Sequence, residues 1–276
     1  MTGLEDLPVE LLYEVHLYSL SAALPITSRR LREIFDATPP SFRAQFILSH
    51  LDGARLSDVV SKTLRFPLCS VTVLDAVLRS WPEDPAPTHA ENSPATPAAD
   101  QVETPPLDES PPRRASQTAS ELPRRLFRAL GPRTDRPYSN DDDPLPLLRY
   151  LYDSPRIPPP DPNSHDGYAL TRAVHAEFTP LIRLLLERGA SPAQKHGLAV
   201  LVAIRQKKLP LVRMLIERTE PDGKRRAKKR RLEDRMEVTK ELLKAAVKAH
   251  ARDIADYFIQ EKGCIPDIQT LQMLMR

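Results

Sequence analysis

The sequence predicts an all-α protein whose carboxy-terminal half is a stack of repeated helix pairs, preceded by a Pro-rich linker and a small helical segment. Three observations predict it. A Pro-Leu-x-Arg helix start occurs three times, apolar residues recur at helical spacing through both ends of the chain, and 29 Pro stand against only 8 Gly in 276 residues. That Pro excess points to irregular connections between helices, not to an α/β enzyme with Gly-rich phosphate turns.

The chain is long enough for one large domain or two small ones. Its two cysteines, Cys69 and Cys264, are far apart in sequence, which fits a reducing compartment better than a disulfide framework. Glu5, Asp6, Glu10 and Glu14 occupy the stretch where a secretory leader would need a basic start and an apolar core, so no leader is expected. The longest uncharged run near the start, Val15 to Ser28, is too short and too polar to span a bilayer. A soluble intracellular protein is expected. The net charge of +3 is small but unevenly placed, with seven basic residues among the eight from Lys224 to Arg231 and an acidic run from Asp141 to Asp143. Such blocks belong on exposed loops.

Residues 1–52 read as three short helices. Pro8 suits a first helical turn, and Leu11, Leu12, Val15 and Tyr18 follow at helical spacing. Thr27 or Ser28 can cap a second helix that buries Leu31, Ile34 and Phe35. Ser41 can cap a third, striped by Phe42, Phe46 and Leu51. Residues 53–81 read as a helical hairpin, Leu56 to Phe66 and Val71 to Trp81, and are a candidate degenerate repeat. Residues 82–120 hold Val102 and Leu107 as their only large aliphatics among nine prolines. A segment that buries so little apolar surface cannot offset its ordering entropy, and a disordered linker is expected. Helices at Glu121 to Leu130 and Leu145 to Tyr152 follow.

The repeat is the strongest signal. Leu145-Pro146-Leu147-Leu148-Arg149, Thr179-Pro180-Leu181-Ile182-Arg183 and Leu209-Pro210-Leu211-Val212-Arg213 keep Pro, Leu and Arg in register. In the preceding helices Leu170, Ala173 and Val174 match Val200, Ala203 and Ile204, then Leu243, Ala246 and Val247. A period in this range marks stacked supersecondary units that bury their apolar faces only against neighbours. The run from Asp166-Gly167-Tyr168-Ala169-Leu170-Thr171-Arg172-Ala173 to Leu184-Leu185-Leu186-Glu187-Arg188-Gly189-Ala190 resembles the ankyrin repeat, with Tyr168-Ala169 where that family has Thr-Pro and Thr171 where it has His. The resemblance implies an ankyrin-type helical-repeat solenoid over 121–276 with a basic loop insertion at 220–236. It is specific over 166–219, good over 238–263 and weak over 121–153.

Leu7-Pro8-Val9-Glu10-Leu11-Leu12-Tyr13-Glu14-Val15, followed by Ser28-Arg29-Arg30-Leu31, resembles an F-box, although the connection between the two parts is about three residues short of the family pattern. The resemblance implies docking on the adaptor subunit of a cullin-type ubiquitin ligase through Leu7, Pro8, Leu11, Leu12, Val15 and Leu31. A helical cap that shields the repeats is the alternative reading of the same residues.

No catalytic pattern accompanies these signals. His16, His50, His89, His165, His175, His196 and His250 never pair at ligand spacing, and no Cys pair, HExxH, GxSxG or phosphate-cradling Gly loop occurs. No enzyme activity, metal or cofactor is expected. The block Lys224, Arg225, Arg226, Lys228, Lys229, Arg230 and Arg231 interrupts the period, since Ala173 to Ala203 is 30 residues and Ala203 to Ala246 is 43. It reads as a nuclear-import signal engaging an importin, with a solvated loop as the second reading. The lack of interleaved aromatics disfavours nucleic-acid binding. Ser116, after Arg113-Arg114-Ala115, is a phosphorylation candidate. In the register set by the three alanines, His175, Arg205 and Lys248 recur two places on, with Arg172 beside them. These residues are expected to form a basic groove for an acidic protein partner. The function expected is therefore a non-catalytic interaction scaffold in the nucleus, or in nucleus and cytoplasm. It is either an F-box substrate receptor or a nuclear adaptor with no ligase link.

Overall fold

The computed structural model describes residues 3–21, 23–51, 56–66, 69–81, 120–218 and 234–274. They fall into two compact units, Met1–Ala119 and Ser120–Arg276. Both are helical, and among the described residues the only extended pairing is an isolated bridge between Glu121 and Asp161. The linker residues 82–119, with Ser116, and the basic residues Lys224 to Arg231 lie outside the described residues.

In the amino-terminal unit, α1 (Val9–Ser19) starts after Pro8 and ends at Leu20, which takes a left-handed φ of 50°. α2 (Arg29–Asp36) is capped by Ser28, whose hydroxyl accepts the Leu31 amide at 3.2 Å. Thr27, the other candidate cap, instead donates to the Leu24 carbonyl. α3 (Pro40–Leu48) starts one residue before Ser41, which therefore lies inside the first turn. α4 (Leu56–Thr63) and α5 (Val71–Ser80) follow, the latter capped by Ser70. Leu12, Leu31 and Phe35 form one buried cluster, with Phe42 against it. Ala44, Phe46, Ile47, Leu51, Val59, Val73 and Val77 form a second. α3 thus turns Phe42 to one core and Phe46 and Ile47 to the other. For that reason residues 56–81 share a core with α3 and with Leu17 of α1.

The carboxy-terminal unit opens with an extended stretch, and only α6 (Arg125–Arg128) of the expected Glu121–Leu130 helix forms. The start of that stretch is committed elsewhere: Ser120 accepts the Asp161 amide at 3.0 Å, and the Leu122 amide donates to Ser164 Oγ at 3.1 Å. The Pro- and Asp-rich loop after α6 is ordered around Asp142, which is almost fully buried. Its carboxylate accepts the Ser139 amide at 2.7 Å, Arg133 at 2.9 Å and Arg136 at 2.6 Å. These bonds, that of the Ser139 amide first, hold its carboxyl well below the ordinary carboxylate range.

The remaining elements are α7 (Leu145–Asp153), α8 (Ser164–His175), α9 (Thr179–Glu187), α10 (Gln194–Arg205), α11 (Leu209–Ile216), α12 (Lys240–Lys248), α13 (Arg252–Asp256) and α14 (Ile268–Leu274), with a π turn at Tyr257–Glu261. Pro146, Pro180 and Pro210 all fall in the first turn of their helices, where a missing N–H is harmless. α8, α10, α12 and α14 pack on one another in order, and α9, α11 and α13 each pack on the helix before them.

Two local devices recur. Before the helical part of α8, His165, Asp166 and Gly167 are all left-handed; before that of α10, Lys195, His196 and Gly197 are as well. The next unit leans on each Gly: a Cβ on Gly167 would meet Gln194 Cβ at 3.0 Å, and one on Gly197 would meet Met236 Cε at 3.1 Å. After α8, α10 and α12 the chain reverses through one closing pattern. The amides of Phe178, Lys208 and Ala251 donate to the carbonyls of Ala173, Ala203 and Ala246 at 3.0, 3.2 and 3.0 Å. The residue before each donor is left-handed: Glu177, Lys207 and His250. This is the Schellman closure, built here without glycine. A left-handed non-glycine costs roughly 1–2 kcal/mol, so packing across the units must more than offset it at all three turns.

With few glycines available, arginines satisfy several helix ends. Arg43 donates to the Asp36 carbonyl at the end of α2, and Arg172 to the carbonyls of Phe127, Arg128 and Leu130 around the end of α6. Arg188 reaches Tyr152 O and pairs with Asp153 at the end of α7, and Arg235 donates to Met214 O and Glu217 O at the end of α11. The guanidinium fork can serve several carbonyls at once, and a cation is favoured by the negative end of the helix dipole.

Candidate functional site

The surface that repeats with the helices is the outward face of α8, α10 and α12. On α10 the buried residues Ala199, Val200, Ala203 and Ile204 occupy one arc. The opposite arc carries Leu198, Leu201, Val202 and Arg205, spaced as one helical stripe. In the same register α8 presents Tyr168, Thr171, Arg172 and His175, and α12 presents Glu241, Lys244, Ala245 and Lys248. Ala173, Ala203 and Ala246 are fully buried behind these stripes and act as the close-packing points of the three helices.

The groove residues expected from sequence divide in two. Arg205 and Lys248 are exposed, and His175 is half-buried. Arg172, by contrast, is committed to the three carbonyls near α6 and contributes a cap. The next turn also stitches the stack, since Gln206 Nε2 donates to the His175 carbonyl at 2.9 Å and Lys208 pairs with Glu177 at 3.0 Å. Lys244 donates to Gln269 of α14 at 2.9 Å. Sequence reading missed Leu198, Leu201 and Val202 as surface residues. The signal was present: Leu198 to Ile204 is an unbroken apolar run, so the helix is apolar on both faces, and only one of them can be covered by its own hairpin partner.

The docking residues expected at the amino terminus also divide. Leu12 (0% exposed) and Leu31 (2%) are core residues packed with Phe35. Leu11 is 45% exposed and Tyr18 86%, with Val15 half-buried between them on the same side of α1. Pro8 is exposed and Leu7 half-buried. An apolar stripe, Leu11, Val15 and Tyr18, therefore faces away from the core with the exposed Glu14 beside it.

The basic segment itself lies outside the described residues, but its two ends are held together. The Arg235 amide donates to Ile216 O at 2.7 Å. Lys262, only 12% exposed, bridges Asp234 at 2.9 Å and Glu217 at 3.3 Å, and Tyr257 donates to Glu217 at 2.9 Å. Burial, with this bond to Glu217, raises the Tyr257 phenol well above its usual range. The 43-residue step is thus a 30-residue unit carrying an insertion pinned at its base.

Among the described residues no cluster of three metal-ligating side chains occurs, and no helix is long and apolar enough to cross a membrane. One histidine environment is unusual. His16 is 1% exposed, stacks on Phe46 at 3.9 Å between ring centres, and has no hydrogen-bond partner at either nitrogen. Burial first, and the nearby His50 second, push its pKa down to about 4. A neutral ring inside an aromatic core is a structural residue and offers no general base to solvent. His50 points both nitrogens at carbonyl oxygens, Phe46 O at 2.7 Å and Leu20 O at 2.8 Å, and so ties α1 to α3.

Comparison with protein-family models, curated proteins and solved structures found no match to this chain.

Proposed function

We propose that this protein is a non-catalytic interaction scaffold, in which an ankyrin-type solenoid binds an acidic protein partner on the outward face of α8, α10 and α12. The observation that carries the reading is the recurrence of one unit: a left-handed finger, a helix anchored on a buried alanine, and a glycine-free Schellman turn. Such a stack places successive side chains at equal heights, which suits recognition of an extended partner. Arg205 and Lys248 make the turn end of that face basic, and a basic cluster there speeds encounter with an acidic segment and disfavours basic competitors.

The amino-terminal unit is proposed to dock, in the manner of an F-box, on the adaptor subunit of a cullin-type ubiquitin ligase. The exposed stripe Leu11, Val15 and Tyr18, with Pro8, supports this. The chain would then position a partner while other subunits supply the chemistry. A regulatory adaptor with no ligase link is the second reading, favoured by the burial of Leu12 and Leu31, which leaves less of the motif for docking. The pinned insertion carries the candidate import signal, and a nuclear location is proposed with it.

Affinity capture of the full chain from cells tests the two readings. Recovery of the ligase adaptor and cullin with the wild type, lost in Leu11→Asp/Val15→Asp, supports the F-box reading. Recovery of other partners without either ligase subunit supports the adaptor.

A further inference from the structure

We infer that the outward face of α10 anchors a short protein segment carrying a large aliphatic or aromatic residue and, about two residues on, a carboxylate. The inference rests on the scaffold reading and specifies the partner's chemistry. Leu198, Leu201 and Val202 form an apolar strip on the solvent side of the middle helix, Leu198 being 36% exposed. At the same heights the flanking helices carry Tyr168, Thr171 and Arg172 on one side and Glu241, Lys244 and Ala245 on the other, so all but the Ala245 position of the rim is polar or charged. A bounded apolar strip is the form of an anchor pocket's floor, where burial of one large side chain supplies most of the affinity and the polar rim sets specificity.

Charge fixes the second feature. Several lysines of this unit are taken up by ion pairs, Lys195 with Asp166, Lys208 with Glu177 and Lys262 with Asp234. Arg205 and Lys248, exposed at one height at the turn end of the strip, enter no such pair among the described residues. Glu241 stands at the height of Leu198, at the opposite end. A carboxylate is therefore attracted at the Arg205 end and repelled at the other, which orients the segment along the helix. Leu201 and Arg205 are four residues apart, roughly 6 Å along the axis at 1.5 Å per residue. An extended segment advances roughly 3.3 Å per residue, which sets the separation of anchor and carboxylate at about two residues.

The test is selection of a displayed library of random twelve-residue peptides on the immobilised full chain. Enrichment of Leu, Ile or Phe with Asp or Glu two positions later is expected. Leu198→Gln/Leu201→Gln should weaken the selected peptides at least tenfold. Arg205→Glu/Lys248→Glu, which changes only exposed side chains, should move the selected residue to Lys or Arg. Thermal melts confirm that each variant is folded. Binders indifferent to both double variants overturn the inference but leave a scaffold that binds elsewhere. Failure to select any binder overturns the inference and the scaffold reading together.

Discussion

Acidification should destabilise the amino-terminal unit through one ring. His16 is buried against Phe46 and Phe35, and neither nitrogen has a partner to share a proton's charge. Its pKa is about 4 folded against 6.5 unfolded, so the unfolded chain binds the proton more tightly. Stability is then fully present above pH 6.5 and is lost as the pH falls toward 4. With those two values the loss between pH 7 and pH 5 is about 2 kcal/mol, and complete protonation costs about 3 kcal/mol, at 1.36 kcal/mol per pH unit. Trp81 is the only tryptophan and packs against this unit's second cluster, so its fluorescence reports this unit. Urea unfolding followed at Trp81 at pH 7, 6 and 5 measures the slope, and His16→Phe provides the control, because it removes this titrating ring and keeps an aromatic side chain in its place. The variant should lose about 2 kcal/mol less than wild type across that range. It should also be the more stable at pH 7, since two unpaired buried ring nitrogens are removed. Equal pH slopes in the two proteins would refute the reasoning.

Three further outcomes follow from the carboxy-terminal unit. Leu185→Asp places a charge at a fully buried position and should cost several kcal/mol; far-UV circular dichroism should show loss of the helices of this unit, and an unchanged melt would show that the core face is misassigned. Gly197→Ala forces a left-handed alanine against Met236 and should cost roughly 1–2 kcal/mol from the backbone alone, measurable by urea denaturation, whereas Gly189→Ala has nothing within 4 Å of its added carbon and should show the backbone part only. A fluorescent protein fused to residues 220–236 should concentrate in nuclei and disperse when Lys228 to Arg231 become Ala; an unaltered distribution after that change would remove the import role.

The alternation of helices and the register of the repeats were legible because they rest on local patterns: Pro in a first turn, Leu and Arg at fixed offsets, and one alanine per unit. Ala173, Ala203 and Ala246 prove to be the acceptors of three equivalent turns. One further echo was also available, since Glu261-Lys262-Gly263-Cys264-Ile265-Pro266 repeats the frame of Glu187-Arg188-Gly189-Ala190-Ser191-Pro192 ahead of α14. The left-handed turns themselves were illegible, because Glu177, Lys207 and His250 carry none of glycine's signal and are held there by the units on either side.

What the sequence determined by itself is therefore the helical class, the period and the core alanines, all set by neighbours within one or two turns of chain. Only the tertiary structure decided which side of each helix is covered. Leu11 and Leu12 are adjacent and chemically identical, yet Phe35 and Leu31 cover Leu12 and leave Leu11 open. Arg172 and Arg205 stand three places, about one helical turn, apart in the repeat register, yet the carbonyls around α6 take up the first. Both outcomes depend on residues brought close by folding from elsewhere in the chain, which no local pattern contains.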